Sequence, residues 1–387
     1  MTRKYDCIVI GTGGMGSAAA MFAAGRGWST LGLDRFPPGH SRGSSHGQTR
    51  IIRQAYFEHP DYVPLVLDSY DLWDEIEQQS GQSLLERTGL LQVGDPDGPI
   101  IGGVQASATR HDLALRGYEL AELREQFPLF HFDEGTVGLY EEVAGYLQVE
   151  KCVEAIAALA RDAGAELIDG VVVESIDSSA GLVVVNTDQG AFSADRAIIT
   201  AGAWACDLLR HLPVSLKVVA KHQHWFGIKD ERASLSAGCP VFFFETGDGY
   251  FYGFPDIDGR GNKMAEHSGG LPVGDPLEVD RQLDQTDLHR VQEFAQQHFN
   301  TPRPIHADHS VCMYTMSPDE HFMVDVLEDR PNIAFACGMS GHGFKFAPVI
   351  GQALVNMVEG THRPDMDFLR ISRFNTDDQP TPLQSIE

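Results

Sequence analysis

The sequence predicts an α/β fold with an α+β second domain, and three observations carry that prediction. A short apolar strand, a glycine turn and an alanine-rich helix open the chain. A strand, a glycine-rich loop and a second apolar helix close it. Between them, residues 213–305 alternate in the manner of half-buried strands. A length of 387 residues suits two domains.

Tyr5-Asp6-Cys7-Ile8-Val9-Ile10 is the short apolar run that a buried parallel strand requires. The turn Gly11-Thr12-Gly13-Gly14-Met15-Gly16 follows. Residues 15–25 read as a helix, and Ser29-Thr30-Leu31-Gly32-Leu33 as a second strand ending at Asp34. Glycines let the backbone approach a pyrophosphate, and the helix N-terminus offers free N–H groups. A carboxylate at Asp34 can accept from a ribose diol and would repel a 2′-phosphate. The plainer reading is a glycine turn in an unrelated α/β fold. With strand, helix and acid all in register, a Rossmann-like dinucleotide site is the better one. The motif does not separate FAD from NAD.

Residues 60–81 place Tyr62, Leu65, Val66, Ser69, Leu72, Trp73 and Ile76 at helical spacing, with Pro60 at the start and Gly81 at the stop. Residues 86–145 are mixed and glycine-rich, with few long helical signals. A helix is expected at 149–163. The runs Val171-Val172-Val173 and Leu182-Val183-Val184-Val185 predict an antiparallel pair. Residues 197–204 read as a buried strand leading into a turn at Gly202, and 285–299 as a helix. In 331–360 a strand is followed by Gly338-Met339-Ser340-Gly341-His342-Gly343 and a helix. The tail after Phe374 is polar and expected to be loose.

Composition excludes several functions. The net charge of −26 rules out a general nucleic-acid binder and disfavours an anionic membrane surface. The hydrophobic fraction of 42% is too high for disorder. No apolar run approaches a membrane span. Six scattered cysteines without a C-x-x-C pair or a leader pattern point to free thiols and a cytoplasmic location. The histidine groups match no zinc spacing, so no metal is expected. Only seven of the 29 cations are lysines.

Four further stretches carry candidate chemistry. In Ser44-Ser45-His46-Gly47-Gln48-Thr49-Arg50-Ile51-Ile52-Arg53, two arginines three apart would share a face if the stretch is helical. One could hold a carboxylate and the other lie over a ring system; the plainer reading is two surface arginines. Cys312, in Cys312-Met313-Tyr314, is a filler, a nucleophile or an attachment point, and residue type alone favours filler. The 338–343 loop can form an anion-binding nest with Lys345 just beyond it, or be an ordinary loop. Tyr252-Gly253-Phe254-Pro255 precedes Lys263 and His267, which share a face in helix or strand. A lysine held near a redox centre could stabilise superoxide; otherwise it is a surface lysine.

Together these stretches resemble the monomeric sarcosine oxidase and N-methyltryptophan oxidase family of flavoenzymes, over nearly the whole chain. The most specific parts are Thr49-Arg50-Ile51-Ile52-Arg53, Cys312-Met313-Tyr314 with Pro318-Asp319-Glu320-His321-Phe322, and the 341–346 loop. The resemblance implies FAD, attached through an 8α thioether to Cys312. The FAD-binding domain is expected at 1–85, 146–212 and 306–387, and a mixed or antiparallel-sheet substrate domain at 86–145 and 213–305. Cofactor contacts fall to Gly11, Gly13, Gly14, Gly16, Asp34, His46, Thr49, Gly202, Gly341 and Gly343. Arg53 and Lys345 match the pair that binds the substrate carboxylate, and Arg50 the arginine stacked on the flavin. Lys263 matches the lysine that activates oxygen. His267, Tyr252, Tyr314 and His342 match the lining of the amine site, and Phe243 a residue facing the substrate.

There are departures. Family members often read Ser-His-His-Gly-Asp-Thr-Arg, whereas Ser45 and Gln48 stand here in place of the first His and the Asp. Phe243 adds bulk where a flexible Met can sit.

The expected activity is oxidative demethylation of an N-methyl amino acid, giving amino acid, formaldehyde and H2O2. The run 367–374 resembles the end of N-methyltryptophan oxidases and tilts the substrate towards N-methyl-L-tryptophan. Sarcosine and pipecolate-type secondary amines are the alternatives. A flavin dehydrogenase with another acceptor, an NAD enzyme and a non-catalytic dinucleotide sensor are the other classes weighed. The partners expected are a small amine and O2, without nucleic acid or membrane, and the relatives suggest a monomer.

Overall fold

The computed structural model describes residues 4–179 and 181–375, so most of the polar tail lies outside the described residues. The first sheet is built around the strand Lys4–Ile10. That strand pairs in parallel with Thr30–Leu33 on one side and Gly190–Ile199 on the other. Glu166–Ile168 and Arg330–Cys337 extend the parallel arrangement outwards. Parallel neighbours need crossovers, and the helix Gly14–Gly25 supplies the first. It is apolar on nearly every side. Its Ala18, Ala19, Ala20, Ala23 and Ala24 are buried in one core with the helices Val149–Asp162 and Ala347–Val358. The helix Tyr62–Ser80 ends at Gly81, whose φ of 67° is the left-handed stop that glycine favours. The antiparallel pair is present as Val173–Ser179 against Leu182–Thr187, with Val171 and Val172 preceding it.

The second sheet is centred on Lys217–Gly227. This strand runs antiparallel to Asn262–Glu266 and, along its whole length, to Ile305–Met316. The strand that carries Cys312 and Tyr314 therefore belongs to the second sheet. Beyond Asn262–Glu266 come Gly249–Gly253, Val241–Thr246 and Leu90–Gly94, the last joined in parallel. Phe130, Phe242, Phe244, Phe251, Phe294 and Phe299 fill the core on one side of it.

A small third sheet joins Thr49–Ile52 to Gly145–Gln148. The arginine stretch is thus a strand and not a helix. Extended backbone, paired along four residues, replaces the helical face considered from the spacing. The helix Pro99–His111 had no strong sequence signal, because Gly102 and Gly103 weaken helix propensity. Pro at its start and the buried Ile100, Ile101, Val104 and Ser107 hold it.

The turn after the first strand leaves no room for a side chain. A Cβ on Gly16 would sit 1.7 Å from the Gly11 carbonyl oxygen. Gly16→Ala is expected to lower unfolding free energy in urea by about 1–3 kcal/mol, as overpacking does; unchanged stability would contradict this packing.

Candidate active site

The two sheets meet around a cavity of about 730 Å³. Its walls include Gly11, Gly13, Gly14 and Asp34 from the first βαβ unit, and Gly202 after Gly190–Ile199. Arg50, Met313, Tyr314, Gly341, Gly343 and Phe344 complete the far end. The helix Gly14–Gly25 starts at this wall with no acidic residue in its first turn, so the positive end of its dipole is not offset from within the helix. Asp34 accepts from Thr12 N at 2.6 Å through one oxygen and from Phe36 N at 3.0 Å through the other. Thr12 Oγ1 also donates to the first oxygen at 3.3 Å, so of a carboxylate's roughly four acceptor positions one remains for a ribose hydroxyl.

A second, smaller cavity of about 50 Å³ adjoins the first, sharing Arg50, Tyr314, Gly341 and Phe344 with it. Arg53, Lys345, His267, His342, Tyr252 and Phe243 line it, with Phe57 and Glu58. Arg53 is paired with Glu58, and its guanidinium carbon lies 4.5 Å from the Tyr56 ring centre and 4.4 Å from that of Phe57. Lys345 donates to the His342 carbonyl at 2.8 Å and to Tyr56 Oη at 3.2 Å. Tyr56 Oη is also 2.7 Å from His342 Nδ1. Arg53 and Lys345 are each 4% exposed, so their charges need these partners.

Burial sets the protonation states. It lowers Lys345 to about 7, with Arg53 adding to the push and Glu58 opposing it. It lowers His267 to about 4 and His342 to about 3, so both rings are neutral at pH 7. Burial alone would raise the Glu58 carboxyl, but Arg53, His342 and Lys345 outweigh it and bring it to about 2.

Of the nine residues expected in catalysis or substrate binding, eight line the small cavity and Lys263 does not. Lys263 is 1% exposed and donates to the carbonyls of Gly47 at 2.7 Å and Thr49 at 2.9 Å. Burial, reinforced by Arg50, holds its pKa well below the usual lysine value. Cys312 is fully buried beside the large cavity. Its Sγ accepts from Arg50 Nη2 at 3.0 Å and lies 3.4 Å from the Ser44 carbonyl. His46 and Thr49 are buried nearby without lining either cavity, and His46 Nε2 and Thr49 Oγ1 have no hydrogen-bond partner among the described residues. Gly16 also lies behind the wall, packed on Gly11.

Sequence reasoning missed Glu58, Tyr56, Phe57 and a third buried lysine, Lys221, which donates to the Ser268 carbonyl at 2.5 Å. Only the short interval between Arg53 and Glu58 offered a signal. Lys221 is visible only through its cross-strand pairing with Cys312.

The family model for FAD-dependent oxidoreductases matches residues 6–357. The chain belongs to that family. A monomeric sarcosine oxidase from Streptomyces avermitilis is 38% identical over 92% of this chain and 94% of its own. An N-methyl-L-tryptophan oxidase from Yersinia pestis is 33% identical over 96% and 99%. The open form of NikD, an unusual amino acid oxidase essential for nikkomycin biosynthesis, superposes with a TM-score of 0.82. It is 23% identical over 95% of this chain and 98% of its own, and shares the fold.

The residues of this FAD-dependent oxidoreductase fit the cofactor. A glycine cradle with no room for side chains at Gly11 and Gly16 and a helix N-terminus suit a pyrophosphate, and Asp34 suits a ribose. Among the described residues no helix is long and apolar enough to cross a membrane.

Two outcomes test the small cavity. Acetate affinity, read from the flavin absorbance, is expected to weaken as pH rises through about 7, because Lys345 loses its charge there. Lys345→Met is expected to flatten that dependence; a profile unchanged by the substitution would contradict it. Glu58→Ala leaves Arg53 buried without its paired carboxylate and is expected to cost about 3–5 kcal/mol in urea unfolding; unchanged stability would contradict the pairing.

Proposed function

We propose that this chain is an oxidase of N-methyl amino acids. The reaction takes N-methyl amino acid, water and O2 to amino acid, formaldehyde and H2O2. The observation that carries the reading is the pairing of two buried cations, Arg53 and Lys345, with neutral His267 and His342 in one cavity beside the flavin site. A carboxylate is neutralised by the cations. The one carboxylate of the lining, Glu58, is engaged by Arg53, so an amine beside two cations, neutral imidazoles and buried phenols is favoured in its unprotonated form. Identity to oxidases of sarcosine and N-methyl-L-tryptophan supports the same class.

FAD, when bound, accepts two electrons from the amine and passes them to oxygen. The protein's part is placement. Arg53 and Lys345 fix the carboxylate end, and Tyr252, Tyr314, His267 and Phe243 close around the amine. Arg50 lines both cavities and is proposed to lie against the flavin ring. Lys263 is proposed to stabilise negative charge during oxygen reduction. Its two carbonyl partners and Glu150 support the ammonium against burial, and one of its three N–H groups has no carbonyl partner. Cys312 is proposed to carry the flavin through a thioether; its burial next to Met313 and Arg50 of the large cavity supports this. The other five cysteines, none in a disulfide, suit a reducing compartment such as the cytoplasm.

The small volume beside Phe243 and Phe57 favours a compact substrate such as sarcosine. A reading as N-methyl-L-tryptophan oxidase rests on the run 367–374. There Phe368 lies 5.0 Å from Tyr62, and Tyr62 lies 5.5 Å from His342, so this run stands behind the cavity.

Peroxide and formaldehyde release across a panel of N-methyl amino acids tests the class. Equimolar release with sarcosine or another N-methyl amino acid is expected, and none with any of them would contradict the reading. The yellow colour is expected to remain in the acid-precipitated pellet and to move to the supernatant in Cys312→Ala.

A further inference from the structure

Lys263 is a flexible, buried cation whose position depends on two carbonyls, and those carbonyls belong to residues on either side of Gln48. Three consecutive carbonyls are shared out in alternation. Those of Gly47 and Thr49 accept from Lys263, while that of Gln48 accepts from Val149 N at 3.0 Å. Alternation on so short a span depends on the backbone of the middle residue. Gln48 has a φ of 74°, in the left-handed region that non-glycine residues rarely occupy. Something must hold it there.

Two sets of bonds do so. Glu150 accepts from Gly47 N at 2.6 Å and from Gln48 N at 3.1 Å, fixing the peptide groups from one side. The Gln48 side chain reaches the other way. Its Oε1 accepts from Trp225 Nε1 at 2.9 Å, and its Nε2 donates to Asp258 at 2.9 Å. Trp225 is the direct cross-strand partner of Lys263, and the lysine Nζ lies 5.9 Å from its ring centre. One side chain thus ties the turn that presents the carbonyls to the strand pair that delivers the lysine.

We propose that Gln48 is a positioning residue for Lys263, acting through Trp225 and through the Gly47 and Thr49 carbonyls to set the ammonium for the oxygen half of the reaction. This rests on the reading of Lys263 given above. Gln48 touches neither cavity, so its loss should leave substrate binding and amine oxidation in place.

The test compares Gln48→Met, which keeps volume without hydrogen bonds, with Trp225→Phe, which removes the donor at the other end. Lys263→Met is the reference. Three quantities are read on the holoenzyme: anaerobic flavin reduction by substrate, reoxidation of reduced flavin by O2, and acylation of Lys263 by an N-hydroxysuccinimide ester, counted by mass spectrometry. Both Gln48→Met and Trp225→Phe are expected to slow reoxidation by about five- to tenfold, the worth of one hydrogen bond. Reduction should stay within about twofold, and Lys263 acylation should rise as the amine loosens. If Lys263→Met slows reoxidation but the other two variants do not, or if they slow both half-reactions equally, or if acylation is unchanged, the positioning role is overturned and the reading of Lys263 stands. If Lys263→Met itself reoxidises normally, that reading fails and the positioning role with it.

Discussion

Everything at the junction of the two sheets depends on keeping cations out of water. Arg53, Lys263 and Lys345 are each under 5% exposed, and an isolated buried ammonium or guanidinium is too costly to persist without partners. Each has a different counterweight. Arg53 has a carboxylate, Glu58, and two aromatic faces. Lys345 has a carbonyl and a phenol. Lys263 has two carbonyls and the more distant Glu150. The counterweights differ in how easily a ligand displaces them. On the proposed reading, a substrate carboxylate would compete with Glu58 for Arg53 and add to what Lys345 already has. It does not reach Lys263, which lines neither cavity. The cations proposed for the two halves of the chemistry are therefore held in different ways.

This arrangement accounts for a molecule of net charge −26 that accommodates an anionic substrate and an anionic cofactor. A global field of that sign would not draw a carboxylate inward. On the proposed reading the attraction is local. It lies within a low-dielectric pocket where charge interactions are strong, while many of the acids form exposed pairs or face solvent. The acidic surface and the cationic interior are separable features of one chain.

Much of the fold was legible because its signals are local. The glycine turn needs its spacing, the helix Tyr62–Ser80 displays its apolar face, and Gly81 announces its end. The helix Pro99–His111 was hidden because its glycines speak against it and burial overrides them. The arginine stretch was open to a helical reading until its pairing with Gly145–Gln148 made it a strand. In the site, Arg53 and Lys345 were legible through family resemblance. The groups that restrain the cations were not, because Glu150 lies about a hundred residues from Gly47, and Trp225 farther still from Gln48. Burial of Lys221 is likewise a property of the sheet and leaves no mark in its neighbours.

The central claim is that binding of the substrate carboxylate rests on buried cations. The most direct measurement is acetate affinity of the oxidised holoenzyme at pH 6.5, followed by flavin absorbance across about 0.05–0.5 M of a weakly interacting salt, over which the Debye length falls severalfold. Buried charges are poorly screened, so the account predicts a dissociation constant constant to within about a factor of two. A rise of about tenfold or more would place the attraction on exposed charges and contradict it.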